Sequence, residues 1–189
     1  DITRDMVGRP VDTFYQREPI EPSQEQVLEV KELRLHRESP AVSFSLHRGE
    51  ILGLFGMVGS GRTEIVRALC GADRFFDGEI WLEGKKLQIA SPRDAIDAGI
   101  AHITEDRQRL GLNLGMSVLE NGLMVKLQQI QPSLLYDYKA HAPLVAPIVE
   151  ELNVKTPSLL QVVVYLSGGN QQKVVLSKWL ITDAQVYVF

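Results

Sequence analysis

The chain has 189 residues, enough for one domain with a buried core, or for one domain with an appendage. Apolar residues make up 44% and charged residues 23%, the composition of an ordinary soluble globular chain, and at a net charge of −4 no basic field advertises a nucleic-acid partner. One cysteine, Cys70, excludes an internal disulfide and fits a reducing compartment, and no apolar run reaches the roughly 18 residues of a membrane-spanning helix. No signal peptide is visible, and the first residue is Asp1 rather than methionine, which suggests a piece of something longer.

Residues 1–26 are polar, carry Pro10, Pro19 and Pro22, and read as a linker. VLEVKELRL (27–35) and AVSFSLH (41–47) alternate apolar and polar residues, as half-buried strands do. ILGLF (51–55) is a continuous apolar run, which predicts a buried parallel strand. A glycine-rich loop follows, and TEIVRALCG then predicts a helix stopped at Gly71. EIWLEGKKLQI (79–89) predicts a β unit turning at Glu83–Gly84. DAIDAG (94–99) predicts a short helix, and IAHIT (100–104) a strand that runs into the charged loop EDRQRLGL. Ser117 and Glu120 fit a capping box, so a helix begins at SVLENGLMVKL, and a helix-rich stretch runs to about 153. LSGG (166–169) opens another helix, and VYVF (186–189) closes the sequence. There is no internal repeat and no low-complexity segment.

The loop GMVGSGRTE holds the strongest chemical signal of the first half. It sits between a predicted strand and a predicted helix, the context of a phosphate-binding loop. Gly56, Gly59 and Gly61 let successive backbone N–H groups turn inward around an anion, and the helix behind presents its positive end. Ser60 and Glu64 complete the stretch, and Thr63 stands where a hydroxyl would ligate Mg²⁺. The pattern G-x-x-x-x-G-K-[ST] asks for lysine at position 62, and the residue is Arg62. Arginine keeps the charge and can hold a nucleotide, but its planar fork does not suit the close γ-phosphate geometry of hydrolysis. On the loop alone, a glycine turn with no ligand fits as well.

The stretch LSGGNQQKV (166–174) resembles the signature of ABC ATPases, and it lies 110 residues beyond Gly56 with a helix-rich insert between, as in that family. LNVKTPS (152–158), shortly before it, agrees. More narrowly, the chain resembles the second, C-terminal cassette of a carbohydrate-importing ABC ATPase of the ribose/galactose/xylose type, in which two cassettes are fused. MVGR (6–9) resembles the join after the first cassette, and RGEILGLFGMVGSGRTE (48–64), TEDRQRLGL (104–112) and GMSVLEN (115–121) match too. Arginine at the lysine position is typical of that second cassette.

The resemblance implies an α/β fold with three parts: a P-loop NTPase core, an antiparallel β subdomain and a helical subdomain over about 113–165. The cassette would occupy residues 27–189. It implies ATP and Mg²⁺ as cofactors, with Gly56, Gly59, Ser60, Gly61, Arg62, Thr63 and Glu64 around the phosphates and Thr63 on the metal. It assigns Ser167, Gly168, Gly169, Asn170 and Gln171 to an outward anion site that completes the partner cassette's nucleotide site; a plain serine-capped helix start is the bland alternative. At Glu105 the family commonly has a glutamine that touches Mg²⁺ and the attacking water, in a loop that contacts the permease. The EDR wording favours coupling over catalysis for Glu105, and a merely solvated loop is the alternative. An aromatic residue normally stacks on adenine from just before the second strand, where RLHRESP (34–40) offers only His36. Histidines 36, 47, 102 and 141 show no metal spacing.

The family continues after the strand ending at Phe189 with an aspartate, a glutamate and later a histidine. The 189 residues by themselves are therefore expected not to hydrolyse ATP. The implied partners are the preceding cassette, integral membrane permease subunits and, indirectly, a periplasmic sugar-binding protein, with no nucleic acid. The implied location is the cytoplasmic face of the bacterial inner membrane. Two alternatives remain: a permease-free ABC ATPase acting on DNA or the ribosome, and a non-catalytic nucleotide-binding or docking module.

Overall fold

The structure, a computed structural model, describes residues 23–127 and 137–189. Most of the expected linker (1–26) and part of the helix-rich stretch (128–136) lie outside the described residues. The end of the linker is already held by the fold: Ser23 N–H donates to Arg48 O (3.1 Å) and Arg48 N–H donates to Glu25 O (2.9 Å).

Strands β1 (Gln26–Arg34), β2 (Val42–His47), β3 (Asp77–Leu82) and β4 (Lys85–Leu87) form an antiparallel sheet in the order β2-β1-β3-β4. The apolar positions of β1 are why: Val27, Leu28, Val30 and Leu33 are buried, while Lys31 and Glu32 stay in solvent. Strict alternation breaks where Glu32 adopts φ 50, a bulge that shifts the register on both sides of β1. The β3–β4 turn falls where the sequence puts it. Glu83 and Gly84 have φ 47 and 75, the left-handed pair that a two-residue hairpin requires.

Helix α1 (Arg62–Leu69) follows the glycine loop and buries Ile65, Ala68 and Leu69 under the sheet. Helix α2 (Pro92–Ala98) starts two residues before the predicted DAIDAG. Ser91 and Asp94 form a reciprocal capping box, with Pro92 in the first turn. Strand β5 (Ile100–His102) pairs in parallel with the last strand, β6 (Val186–Val188). Helix α3 (Val118–Leu123) begins at the predicted Ser117/Glu120 box. Helix α4 (Ala142–Glu151) contains Pro147, and helix α5 (Gly168–Leu180) begins at the LSGG stretch.

One expectation fails. ILGLF (51–55) forms no strand, and its side chains face solvent, Ile51 at 75% and Phe55 at 100% exposure. A buried parallel strand needs a hydrogen-bonded neighbour. Among the described residues β5 and β6 pair only with each other, so this backbone has no ladder to join.

Two hydrophobic clusters result among the described residues. The first joins β1, β3 and α1 through Val30, Leu33, Ile65, Leu69 and Ile80. The second gathers α3, α4 and α5 through Leu119, Leu123, Val145, Val174 and Val175. In the second, Gly122 lets the helices approach closely: a Cβ there would lie 2.8 Å from Val145 Cγ1. The glycine loop stands on the first cluster and the LSGG stretch on the second.

Candidate functional site

The glycine loop is built by backbone conformation. Gly59 and Gly61 have φ 82 and 87, a region other residues enter only under strain. A Cβ on Gly56 would come within 2.5 Å of Ser60 Oγ and 3.6 Å of Arg62 Cδ, so the loop closes on itself and the Arg62 stem lies back across it. Gly61 is the N-cap of α1 and supplies no side-chain cap, which leaves the first-turn N–H groups open to an outside acceptor. Thr63 and Glu64 are exposed on that same turn. Two left-handed glycines before an uncapped helix start suit a phosphate, and the Thr63 hydroxyl suits a hard cation as one oxygen ligand. A Cβ on Gly61 would lie 3.2 Å from Leu35 Cδ1, so the turn after β1 stands beside the loop. His36, next in sequence, is exposed, and its N–H is bonded to Ser39 Oγ (3.0 Å).

The LSGG stretch presents a second helix start. Ser167, Gly168 and Gly169 are exposed, and Ser167 occupies the N-cap of α5 without making a side-chain cap bond. Its Oγ instead accepts from Asn170 Nδ2 (3.0 Å). Asn170 Oδ1 accepts Lys155 N–H (2.9 Å), and Lys173 Nζ donates to Asn153 O (2.8 Å), so the NVKTPS segment is laced onto the first turns of α5. Gln171 sits deeper than Ser167, Gly168 and Gly169. It is 5% exposed, and its Nε2 donates to Val163 O and Leu166 O. Its Oε1 accepts Arg107 Nε (3.3 Å), so the whole amide faces inward and presents nothing to an outside anion.

The charged loop after β5 folds into a π-helical turn at Arg107–Gly111. Glu105 is exposed on the bend before it and offers its carbonyl to Arg107 N–H (3.1 Å). Asp106 Oδ1 caps the turn by accepting Arg109 N–H (3.1 Å). The turn is fastened to α5 at two points. Besides bonding Gln171, Arg107 Nη2 lies where a Cβ on Gly168 would come within 2.9 Å. Lys178 Nζ donates to Gly111 O from a buried position, and burial pushes its ammonium down to about 8.

The structure thus keeps the sequence-derived residues in two groups. Residues 56–64 sit on the β-side cluster, and residues 167–169 on the helical cluster beside the 105–111 turn. Three residues here escaped sequence reasoning: Arg107, Lys178 and Asn121. Helical phase was a signal for Lys178, which lies seven residues after Gln171 and four after Val174 on the buried stripe of α5. Asn121 is fully buried and ties the 113–117 turn to α3. Its Oδ1 accepts Asn113 N–H (2.8 Å), and its Nδ2 donates to Asn113 O (2.9 Å) and Ser117 O (3.0 Å).

Known proteins resemble this chain in sequence and in fold. The ABC transporter family profile matches residues 40–189. A putative ribose/galactose/methyl galactoside import ATP-binding protein of Agrobacterium fabrum is 42% identical over the whole chain, which covers 38% of that relative. A protein of the same description from Albidiferax ferrireducens is 42% identical over 97% of the chain and is covered to 37%. The chain therefore spans a little over a third of the length of these relatives. Among solved structures, the ADP conformation of MJ1267, an ATP-binding cassette of an ABC transporter, superposes with a TM-score of 0.68 at 20% identity, over 86% of this chain and 67% of that one. The cbiO1 cassette of Clostridium perfringens gives 0.67 at 15%, over 87% and 64%. These likenesses establish an ATP-binding-cassette fold, and on the strength of the family match and the 42% identities, the chain belongs to the ABC transporter family.

Proposed function

We propose that this chain is a nucleotide-binding cassette of a sugar importer and works as one half of a two-cassette engine. The names of its relatives, import proteins for ribose, galactose and methyl galactoside, support the substrate class. ATP with Mg²⁺ is the cofactor pair. Residues 56–64 hold the phosphates, Thr63 supplies an oxygen to the metal, and His36 in the adjacent turn is the candidate for the adenine face. A cation held at Thr63 would neutralise charge on the bound phosphate oxygens.

One observation carries this reading. The chain exposes two anion-seeking helix starts rooted in separate hydrophobic clusters. A loop and a signature that serve different nucleotides can stand apart in this way, the signature facing a nucleotide on the preceding cassette. Arg62 departs from the lysine that γ-phosphate chemistry favours, so the chain's own seat serves binding and regulation. Glu105, exposed beside the turn fastened to α5, belongs to the surface that meets the permease. The whole polypeptide then acts at the cytoplasmic face of the membrane, with a periplasmic sugar-binding protein upstream.

The test is ATP hydrolysis and sugar uptake by the full-length polypeptide with its permease. Ser167→Ala should lower both strongly, because it damages the competent site in trans. Arg62→Ala should lower nucleotide occupancy of its own seat and change turnover less. The reverse ranking would place the working site on this chain's own loop and sink the proposal. Retention of ATPase without any permease in the purified complex would favour a permease-free ATPase instead.

A further inference from the structure

The Ser167 hydroxyl has an unusual hydrogen-bond position. An N-cap serine ordinarily accepts from the second or third N–H of its own helix. Ser167 does not, and accepts the amide N–H of Asn170. The orientation of that amide is fixed by an unambiguous donor. Lys155 N–H can only donate, so the atom it meets at 2.9 Å must be Asn170 Oδ1, which turns Nδ2 toward Ser167. Nδ2 has no acceptor capacity, so the Ser167 Oγ–H cannot return the bond. No described residue accepts that proton, and Ser167 is exposed.

We infer that Asn170 is a positioning residue: anchored on the Lys155 amide, it holds the Ser167 hydroxyl as an outward donor, ready for an anionic oxygen. The inference rests on the reading that the signature face meets a nucleotide phosphate held by the preceding cassette. It replaces the expectation that Asn170 itself touches the nucleotide. The NVKTPS segment gains a role by the same route, since it aims the amide.

Asn170→Asp separates orientation from tethering. An aspartate still accepts Lys155 N–H, so the segment stays attached. It cannot donate to Ser167 Oγ, and its carboxylate captures the hydroxyl proton instead. In the full-length polypeptide with its permease, ATPase should fall roughly ten- to hundredfold, the worth of one donor to a charged oxygen. Asn170→Ala should also lower it, and should cause no further loss in a Ser167→Ala background, because both changes remove the same donor. Circular dichroism and thermal melting of each variant establish that it is folded. Asn170→Asp at the wild-type rate, or Asn170→Ala adding its full loss to Ser167→Ala, overturns the inference while leaving the signature reading in place. Ser167→Ala at the wild-type rate overturns the signature reading, and this inference with it.

Discussion

Lys178→Met tests how the 107–111 turn is fastened to α5. Lys178 is 5% exposed, and burial lowers its ammonium from 10.5 to about 8. The groups around it add to the cost or oppose it. His102 and Lys178 repel when both are charged, the Trp179 ring lies 5.5 Å from Nζ, and the Gly111 carbonyl favours the charged form. Below pH 8 the lysine is charged in both the folded and unfolded states, and the full burial cost applies. Above pH 10.5 it is neutral in both, and the cost is gone. Stability therefore rises with pH between these limits, by up to roughly 3 kcal/mol for a displacement of this size. Methionine has similar bulk, removes the charge, and forfeits a bond to Gly111 O worth about 1.5–3 kcal/mol. The two changes nearly cancel at pH 7, and by pH 10.5 the wild type should be the more stable. Cys70 acts in the opposite direction: burial pushes its thiol from 9 to about 12, so it costs stability as pH climbs through that range. The difference between wild type and variant cancels this contribution. The assay is urea unfolding of both proteins at intervals from pH 7 to 10.5. A difference that stays flat across the range would mean that Lys178 titrates alike in both states and carries no burial cost.

Three further outcomes follow from the same structure. Asn121→Ala should destabilise the chain by about 1–3 kcal/mol, visible as a lower urea midpoint, since Asn113 N–H loses its acceptor and a fully buried side chain is truncated, while Asn113 O and Ser117 O keep the backbone bonds from Met116 N–H and from the N–H of residue 121. Cys70, 4% exposed and raised to about 12, should resist iodoacetamide at pH 8 in the folded chain and react promptly in urea. His102 is held below its ordinary 6.5 by burial, then by the Arg67 and Lys178 charges, so it is the neutral form that the fold favours. Its contribution is complete above pH 6.5 and is lost as pH falls below that. His102→Gln should flatten the acid limb of the stability profile.

Local rules explain what could be seen in advance. The Ser117/Glu120 box, the Glu83–Gly84 hairpin and the glycine loop each depend on residues within a few positions of one another, so the sequence displays them directly. ILGLF shows the limit. Its composition predicts a buried parallel strand, yet strand formation depends on neighbours that local pattern does not contain. Most of what orders the helical side was illegible for a similar reason. Arg107 meets Gln171 across 64 residues and Lys178 meets Gly111 across 67, and both read locally as surface charges. Gln171 shows the same limit from another side. Its place in the signature suggested an outward contact, while its phase on α5, three residues before Val174, turns it inward.

The central claim is that residues 56–64 form a nucleotide seat despite Arg62. Calorimetric titration of the chain with Mg·ATP tests it most directly, alongside Gly61→Val, which forces a branched side chain into a φ of 87 and against Leu35. The wild type should bind with micromolar affinity and Gly61→Val should not bind, with circular dichroism showing both proteins folded. No binding by the folded wild type, or equal binding by the variant, would contradict the claim.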